Sequence, residues 1–154
     1  MNKRTRTSIA GLALSASAFV AILLHEGYSY KTYIPIPGDV PTIGFGTTDG
    51  VKAGDTITPP KAVEKALRDV TKFEGAIKKC VKVPLYQYEY DAYVSFAYNV
   101  GPKAFCSSTL VKKLNAGDYE GACNELSRWV YASGKKLKGL ENRREAERKL
   151  CLGN

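Results

Sequence analysis

The sequence lacks the residue groupings that build most metal centres. It contains one histidine, His25, and its four cysteines include no C-x-x-C pair. Since protein zinc sites draw on clustered Cys and His ligands, no such site is expected. Internal repeats, low-complexity tracts and linker-like stretches are also missing from the 154 residues. The sequence therefore predicts one compact body that needs neither metal nor cofactor.

Extremes of composition are absent as well. Charged residues make up 25% of the chain and apolar residues 44%, which excludes a disordered protein and one that crosses a membrane many times. The net charge of +8 favours polyanionic partners, such as cell-wall polymer, anionic lipid or nucleic acid. However, no nucleic-acid-binding motif occurs, and basic and aromatic residues do not alternate in one stripe. We expect no nucleic-acid partner, and we expect a monomer.

Charge is missing altogether from residues 8–24, which follow the basic residues Lys3, Arg4 and Arg6. As a helix these 17 residues span ~26 Å, slightly less than the ~30 Å hydrocarbon core of a bilayer. Many of them are Ala, Gly or Ser, which contribute little to membrane insertion. We predict an N-terminal signal-anchor helix within residues 1–24, with the N-terminus cytoplasmic and the rest exported.

Three fates are open to this segment: cleavage as a signal peptide, permanent anchoring, or anchoring followed by exit from the bilayer. The stretch Ala16–Ala18 resembles a cleavage site, but it lies inside the apolar run rather than after it, which argues against cleavage. The weak hydrophobicity argues against permanent anchoring. We therefore expect residues 8–24 to hold the protein in a membrane until they leave it.

The four cysteines all lie beyond the apolar segment. An even number in an exported chain indicates two disulfides, although four cysteines permit three pairings and four buried thiols are the alternative. Cys106 and Cys123 flank a turn at residues 115–118, between two helix-like stretches. An antiparallel helix pair around this turn would bring them together. We therefore predict the disulfides Cys106–Cys123 and Cys80–Cys151.

The pattern after residue 27 predicts one small sheet and several helices. Residues 28–45 are rich in Tyr, Thr, Ile and Val and are interrupted by Pro and Gly, which is typical of a β-hairpin. Apolar residues at three- and four-residue steps predict an amphipathic helix after the candidate N-cap Thr58. Asp118 is a candidate N-cap for a later helix. The predicted fold class is α+β and mostly helical, with helices over residues 84–100, 109–114, 119–130 and 140–151.

Candidate chemistry begins directly after the apolar segment. Glu26 follows it by two residues, and Gly27 relieves crowding at the turn into the hairpin. A carboxylic acid in partly apolar surroundings suits the general acid of glycoside hydrolysis, which needs a second group across the sugar. Candidates for that group are Asp39, Asp49 and Asp55. Asp39 is nearest to Thr42, whose hydroxyl can hold a water beside a carboxylate.

Several short motifs, taken in order, resemble those of one family. They are Leu24-His25-Glu26-Gly27, Tyr33, Thr42-Ile43-Gly44-Phe45-Gly46, Tyr98-Asn99-Val100-Gly101, Ser127-Arg128-Trp129 and Arg143-Arg144. The set is similar to that of the phage lysozymes (muramidases) of the T-even type and covers residues 23–152. Together with the weak anchor, it resembles the signal-anchor-release endolysins of tailed phages.

The resemblance implies a catalytic triad of Glu, Asp and Thr. Glu26 takes the place of the general acid, and Thr42 that of the threonine that positions water. At the family's usual spacing the middle carboxylate falls on Pro35 when counted from the glutamate, and on Ile36 when counted from the threonine. Neither can serve, so we assign the role to Asp39, the only carboxylate within the hairpin.

The resemblance also implies the substrate. The family cuts the peptidoglycan glycan strand between N-acetylmuramic acid and N-acetylglucosamine, with inversion, so the second carboxylate activates water. Tyr98 and Asn99 stand where the family lines its cleft, and Ser108 lies near another contact position. A lysozyme-like catalytic domain of residues 25–154 would be held at the host inner membrane, with its body in the periplasm, and then released into the periplasm.

Two other functions stay open. If Asp39 does not reach the substrate, Glu26 with Thr42 and water would act as in single-acid lytic transglycosylases. Alternatively, the chain is a non-catalytic wall-binding protein anchored in the membrane. If the chain is an enzyme, the position of Glu26 next to the apolar segment predicts that membrane tethering regulates its activity. While the segment lies in the bilayer, this carboxyl stays within about one helical turn (~5 Å) of the interface, so we expect the tethered form to be inactive.

Overall fold

The elements of the fold are taken from a computed structural model that describes residues 5–154; Lys3 and Arg4 of the predicted anchor flank lie outside the described residues. The helices are α1 (Ala16–Glu26), α2 (Pro59–Cys80), α3 (Gln87–Val100), α4 (Pro102–Ser107), α5 (Thr109–Asn115), α6 (Tyr119–Glu125) and α7 (Lys138–Cys151). Two antiparallel pairs of strands accompany them, β1 (Ser29–Tyr33) with β2 (Thr42–Gly44) and β3 (Tyr131–Ala132) with β4 (Lys135–Lys136). The predicted class, mostly helical α+β, is confirmed.

The chain divides into two compact units. One, called here the hairpin unit, is Phe19–Lys72 and contains β1 and β2. The other, called the helical unit, combines the described residues up to Ala18 with Phe73–Asn154. The two boundaries between the units along the chain fall inside helices, one within α1 and one within α2.

The predicted continuous apolar helix over residues 8–24 is absent from this structure. Ile9–Gly11 forms a short 3-10 turn, residues 12–15 have no regular structure, and α1 begins only at Ala16. Within residues 5–154, no helix combines the length and the apolar character needed to cross a membrane.

The interruption of this helix is centred on Ser15. Its hydroxyl accepts a hydrogen bond from the backbone N–H of Ala18 at 3.2 Å and donates one to Asp91 at 2.7 Å. The backbone N–H of Ser15 also donates to Asp91, at 3.0 Å. A serine bonded in this way starts a helix rather than continuing one. The apolar pattern could not reveal this, because Asp91 is distant in sequence.

The hairpin unit has a small core. Ile43, Ile57 and Ala62 are buried together, and the partly buried Phe45 and Val51 pack against them. Strands β1 and β2 pair with Ser29 opposite Gly44 and Tyr33 opposite Thr42, with an irregularity between the two pairs. The predicted hairpin and the helix that follows Thr58 are thereby confirmed.

The helical unit has a larger core with α3 at its centre. Aromatic side chains dominate it: Tyr90, Tyr93, Phe96 and Phe105 are fully buried. Glu147 of α7 is also buried in this unit, at 3% exposure. Its carboxylate accepts hydrogen bonds from Ser95 Oγ at 2.7 Å, from the Arg143 guanidinium at 3.1 Å and from the Arg144 guanidinium. A buried carboxylate is tolerated because these donors satisfy it.

The predicted disulfide pairing is wrong. The bonds are Cys80–Cys106, with Cα atoms 5.6 Å apart, and Cys123–Cys151, with Cα atoms 5.7 Å apart. The helix pair around residues 115–118 does form, but Cys106 does not lie on it. The chain ends α4 at Ser107 and starts α5 after Ser108, so Cys106 is on the earlier helix and meets Cys80 at the end of α2.

Candidate active site

Glu26 is the last residue of α1 and is half-buried. The helix ends there because Gly27 takes a left-handed conformation (φ +69°) and donates its N–H to the carbonyl of Leu23 at 3.0 Å. This is the usual glycine stop of a helix, and it turns the chain directly into β1. The predicted role of Gly27 thus has a structural basis, and Glu26 stands at the junction of helix and hairpin.

The carboxylate of Glu26 lies against Gly46. A Cβ placed on Gly46 would come within 3.1 Å of Glu26 Oε2, and the glycine has a φ of +85°. Both features restrict this position to glycine. The loop that carries it is fixed by two backbone hydrogen bonds between Ile43 and Thr47, at 2.9 and 3.0 Å. Thr47 in turn donates to Asp69 of α2 at 2.8 Å, so α2 holds the loop beside Glu26.

Thr42 begins β2 and is 5% exposed. Its hydroxyl donates to the carbonyl oxygen of Val40 at 3.1 Å, which leaves the hydroxyl oxygen as an acceptor for a water. Across the hairpin it faces Tyr33. Burial, and secondly the charge of Glu26, raise the pKa of the Tyr33 phenol. Glu26, Tyr33 and Thr42 therefore form one neighbourhood.

Asp39 lies in the turn between β1 and β2 and is exposed. Its N–H donates to Ile36 at 2.9 Å, and its Oδ1 accepts from the N–H of Val40 at 2.9 Å. Val40 is also the residue whose carbonyl receives the Thr42 hydroxyl. Asp39 and Thr42 are thus linked through the backbone of Val40, because Asp39 accepts from its N–H and Thr42 donates to its carbonyl. Asp39 itself lies on the surface.

The three predicted substrate contacts belong to the helical unit. Asn99 is exposed near the end of α3, and its side-chain oxygen accepts from Arg144. Tyr98 is 8% exposed and packs edge-on against Phe73, with ring centroids 5.4 Å apart. Ser108 is buried, where it donates to Phe105 at 2.6 Å and caps α5. Each of these side chains therefore has a structural task of its own.

Two neighbours of Glu26 were not assigned a role from the sequence. Tyr33 and Gly46 entered the sequence analysis only as members of the family-like motifs. Antiparallel pairing offered one usable signal, because the strand pair that contains Thr42 must place a β1 residue opposite it. No such signal existed for Gly46. Within residues 5–154, no group of three or more His, Cys, Asp or Glu side chains is arranged to hold a metal ion.

Comparison with known proteins connects this geometry to a family. The phage lysozyme family model matches residues 24–147, which include Glu26, Asp39, Thr42, Gly46, helices α2 to α6 and most of α7. The chain belongs to the phage lysozyme family. It is therefore a glycoside hydrolase of the muramidase type, and the predicted resemblance is confirmed.

Individual relatives agree with this. The chain is 42% identical to the SAR-endolysin of Pseudomonas phage phiKMV over 156 residues, covering 99% of this chain and 93% of that protein. Among solved structures, an endolysin from Escherichia coli O157:H7 phage FAHEc1 has a TM-score of 0.79 at 40% identity, covering 92% of this chain and 94% of that one. The phage lysozyme therefore resembles endolysins along nearly its whole length.

A third relative, the P1 phage endolysin Lyz, is solved in two forms. Its active form has a TM-score of 0.76 at 26% identity, covering 94% of this chain and 87% of that one. Its secreted inactive form has a TM-score of 0.51 at 26% identity, covering 68% of this chain and 75% of that one. The present fold is more similar to the active form.

Proposed function

We propose that this phage lysozyme is an endolysin that hydrolyses the β-1,4 bond between N-acetylmuramic acid and N-acetylglucosamine in peptidoglycan and so lyses the host cell. The observation that carries the proposal is the close approach of Glu26 Oε2 to Gly46, 3.1 Å from the position that a Cβ would take. This approach sets a half-buried carboxyl beside the hairpin that carries Thr42.

In the proposed reaction, Glu26 protonates the oxygen of the leaving sugar. Inverting enzymes direct a water at the opposite face of the ring, with a second carboxylate as its base. Thr42 suits the task of holding that water. Its hydroxyl donates a hydrogen bond to the carbonyl of Val40, so its oxygen can accept one from the water.

Asp39 is the proposed base. Its exposure lets solvent reach the carboxylate, and only Oδ1 is engaged, by the N–H of Val40. Because the Thr42 hydroxyl donates to the carbonyl of the same Val40, one residue links the proposed base and the group that holds the water. Of the proposed sugar contacts, Asn99 is the most accessible, while Tyr98 and Ser108 are mostly buried, at 8% and 6% exposure.

We further propose that residues 1–24 act as the signal anchor and residues 25–154 as the catalytic domain. In the tethered state residues 8–24 span the host inner membrane as a helix, with the N-terminus in the cytoplasm and the body in the periplasm. On release the enzyme becomes a periplasmic monomer. Support comes from the uncharged, weakly apolar segment, and from the name of the SAR-endolysin relative in phage phiKMV.

The reaction type is tested by product analysis. Purified released protein is incubated with purified peptidoglycan, and the fragments are examined by mass spectrometry. Hydrolysis leaves reducing muramic acid ends, whereas anhydromuramic ends would replace this proposal with the lytic transglycosylase alternative, in which Glu26 acts without a second carboxylate. Asp39→Ala should lower the rate by about 100-fold or more, the usual contribution of a general base. Asp55→Ala is the matched control, since Asp55 also accepts from a backbone N–H of its own loop.

A further inference from the structure

The N-terminal segment is bound to the helical unit by side chains that the catalytic mechanism does not use. Arg6 donates from Nη2 and Nε to the Glu89 carboxylate, at 2.8 and 3.0 Å. Its guanidinium also lies 3.5 Å from the ring centroid of Tyr119 and 4.4 Å from that of Tyr86. Glu89 is 2% exposed. A bidentate ion pair whose guanidinium also contacts two aromatic rings is a specific site for an arginine.

Next to Arg6, Thr7 pairs with Leu85. The two residues exchange backbone hydrogen bonds of 2.8 and 2.9 Å, which is the pattern of an antiparallel bridge. This bridge fixes the direction in which the segment leaves the Arg6 site.

Two further carboxylates receive backbone N–H groups of the same segment. Glu74 Oε1 accepts from Leu14 at 2.7 Å. Asp91 accepts from the N–H and the hydroxyl of Ser15, at 3.0 and 2.7 Å. Donors from the body satisfy carbonyl groups in between, as Gln87 donates to Ala13 at 2.8 Å. Main-chain groups of the segment are thus satisfied by side chains of α2 and α3.

These N–H groups have a second possible set of acceptors. In a continuous membrane-spanning helix, the N–H groups of Leu14 and Ser15 must bond the carbonyls four residues earlier, at Ala10 and Gly11. A backbone N–H that donates to Glu74 or Asp91 cannot also complete the helix. The segment therefore has two alternative, mutually exclusive hydrogen-bonding states.

We propose that Glu74, Glu89 and Asp91 form a docking site for residues 6–15 of the same chain, which is empty while the protein is tethered and fills on release. This inference rests on the proposed function, since it presumes the tethered state. Filling the site lowers the free energy of the released form alone, because the contacts exist only there. The site thereby shifts the balance between tethered and released protein, as a ligand shifts a two-state equilibrium.

The test changes the body and leaves the anchor sequence intact. Parent, Glu89→Gln and Asp91→Asn are expressed at full length, the membrane potential is dissipated with an ionophore, and the soluble and membrane-bound protein are quantified. Each variant should lower the ratio of released to tethered protein about tenfold or more, the effect of weakening the charge-assisted hydrogen bonds that its carboxylate accepts. Glu125→Gln is the control. Glu125 is also a mostly buried, ion-paired carboxylate, but its partners are Lys113 and Arg128.

The outcomes separate the docking site from other effects. Parent-like release by both Glu89→Gln and Asp91→Asn would overturn the proposal, and so would an equal loss of release in Glu125→Gln, which would point to general destabilisation. A thermal melt of the released fraction shows whether each variant folds. Arg6→Lys keeps the positive flank but loses the bidentate contact, so it should fall between parent and Glu89→Gln. A further outcome separates the two proposals. If the variants lose release as expected but the released parent protein does not cleave peptidoglycan, the proposed function is rejected and the docking site is retained.

Discussion

The two units of this phage lysozyme are built by different means. The helical unit has both disulfides, a core of fully buried aromatic rings and the buried cluster around Glu147. The hairpin unit has no disulfide among its described residues, a three-residue buried cluster and a loop fixed by hydrogen bonds. It nevertheless contains Glu26, Asp39 and Thr42.

This difference shows what fixes the positions of side chains in each unit. In the helical unit, position follows from packing, since buried groups have few alternatives. In the hairpin unit, one contact that fixes the place of Glu26 is the close approach of Gly46. We therefore expect substitutions in the helical unit to change stability first, and substitutions around Glu26 to change activity first.

The largest expected effect on stability is that of Glu147→Gln. It would leave two buried guanidinium groups, those of Arg143 and Arg144, without their carboxylate. Breaking a buried ion pair in this way typically lowers the free energy of unfolding by about 3–5 kcal/mol. Urea unfolding followed by the fluorescence of Trp129, the single tryptophan, measures it. Under conditions where the variant remains folded, its turnover should equal that of the parent. A loss of turnover with unchanged stability would break the comparison.

The next effect concerns Gly46→Ala in the hairpin unit. The new methyl group would press on Glu26, and a misplaced catalytic group costs about 100-fold in rate. Gly50→Ala is the matched control, because Gly50 also has a positive φ (+70°) but has no atom within 4 Å of the added Cβ. Both variants should lose about 1–2 kcal/mol of stability from backbone strain. Equal lysis rates for the two would show that Gly46 does not position the carboxyl.

The smallest expected effect is that of Ser108→Ala. Loss of the α5 cap should cost about 1 kcal/mol of unfolding free energy. Ser107→Ala is the control, since Ser107 is exposed and bonds only carbonyls of its own helix. If Ser108 also contacts sugar, the KM for peptidoglycan fragments will rise in Ser108→Ala beyond the change in Ser107→Ala. An unchanged KM assigns Ser108 to the cap alone.

Local signals in the sequence predicted much of this fold. Thr58 and Asp118 mark the starts of α2 and α6, because caps and apolar spacing act within a few residues. Interactions between residues far apart in the sequence could not be predicted from these local signals. The disulfides were mispredicted because Ser108 starts a new helix after Cys106. The broken N-terminal helix depends on Asp91, far along the chain.

The geometry of the candidate site was likewise predictable only where it depends on residues close in sequence. Glu26 and Thr42 are joined by a hairpin whose pairing the residue pattern indicates, so their proximity followed from local rules. The place of Asp39 did not follow, because the geometry of a proline-containing turn depends on backbone angles that composition does not fix. Its catalytic assignment stays a prediction.

The central claim is that Glu26 is the acid of a peptidoglycan hydrolase, and Glu26→Gln tests it most directly. The amide keeps the shape of the side chain but cannot supply the proton. The measurement is the initial rate of lysis of chloroform-treated Gram-negative cells by equal amounts of folded, released protein, with urea unfolding as a check on stability. We predict a rate at least about 100-fold below that of the parent, with an unchanged unfolding midpoint. Lysis by Glu26→Gln at the parental rate would contradict the account.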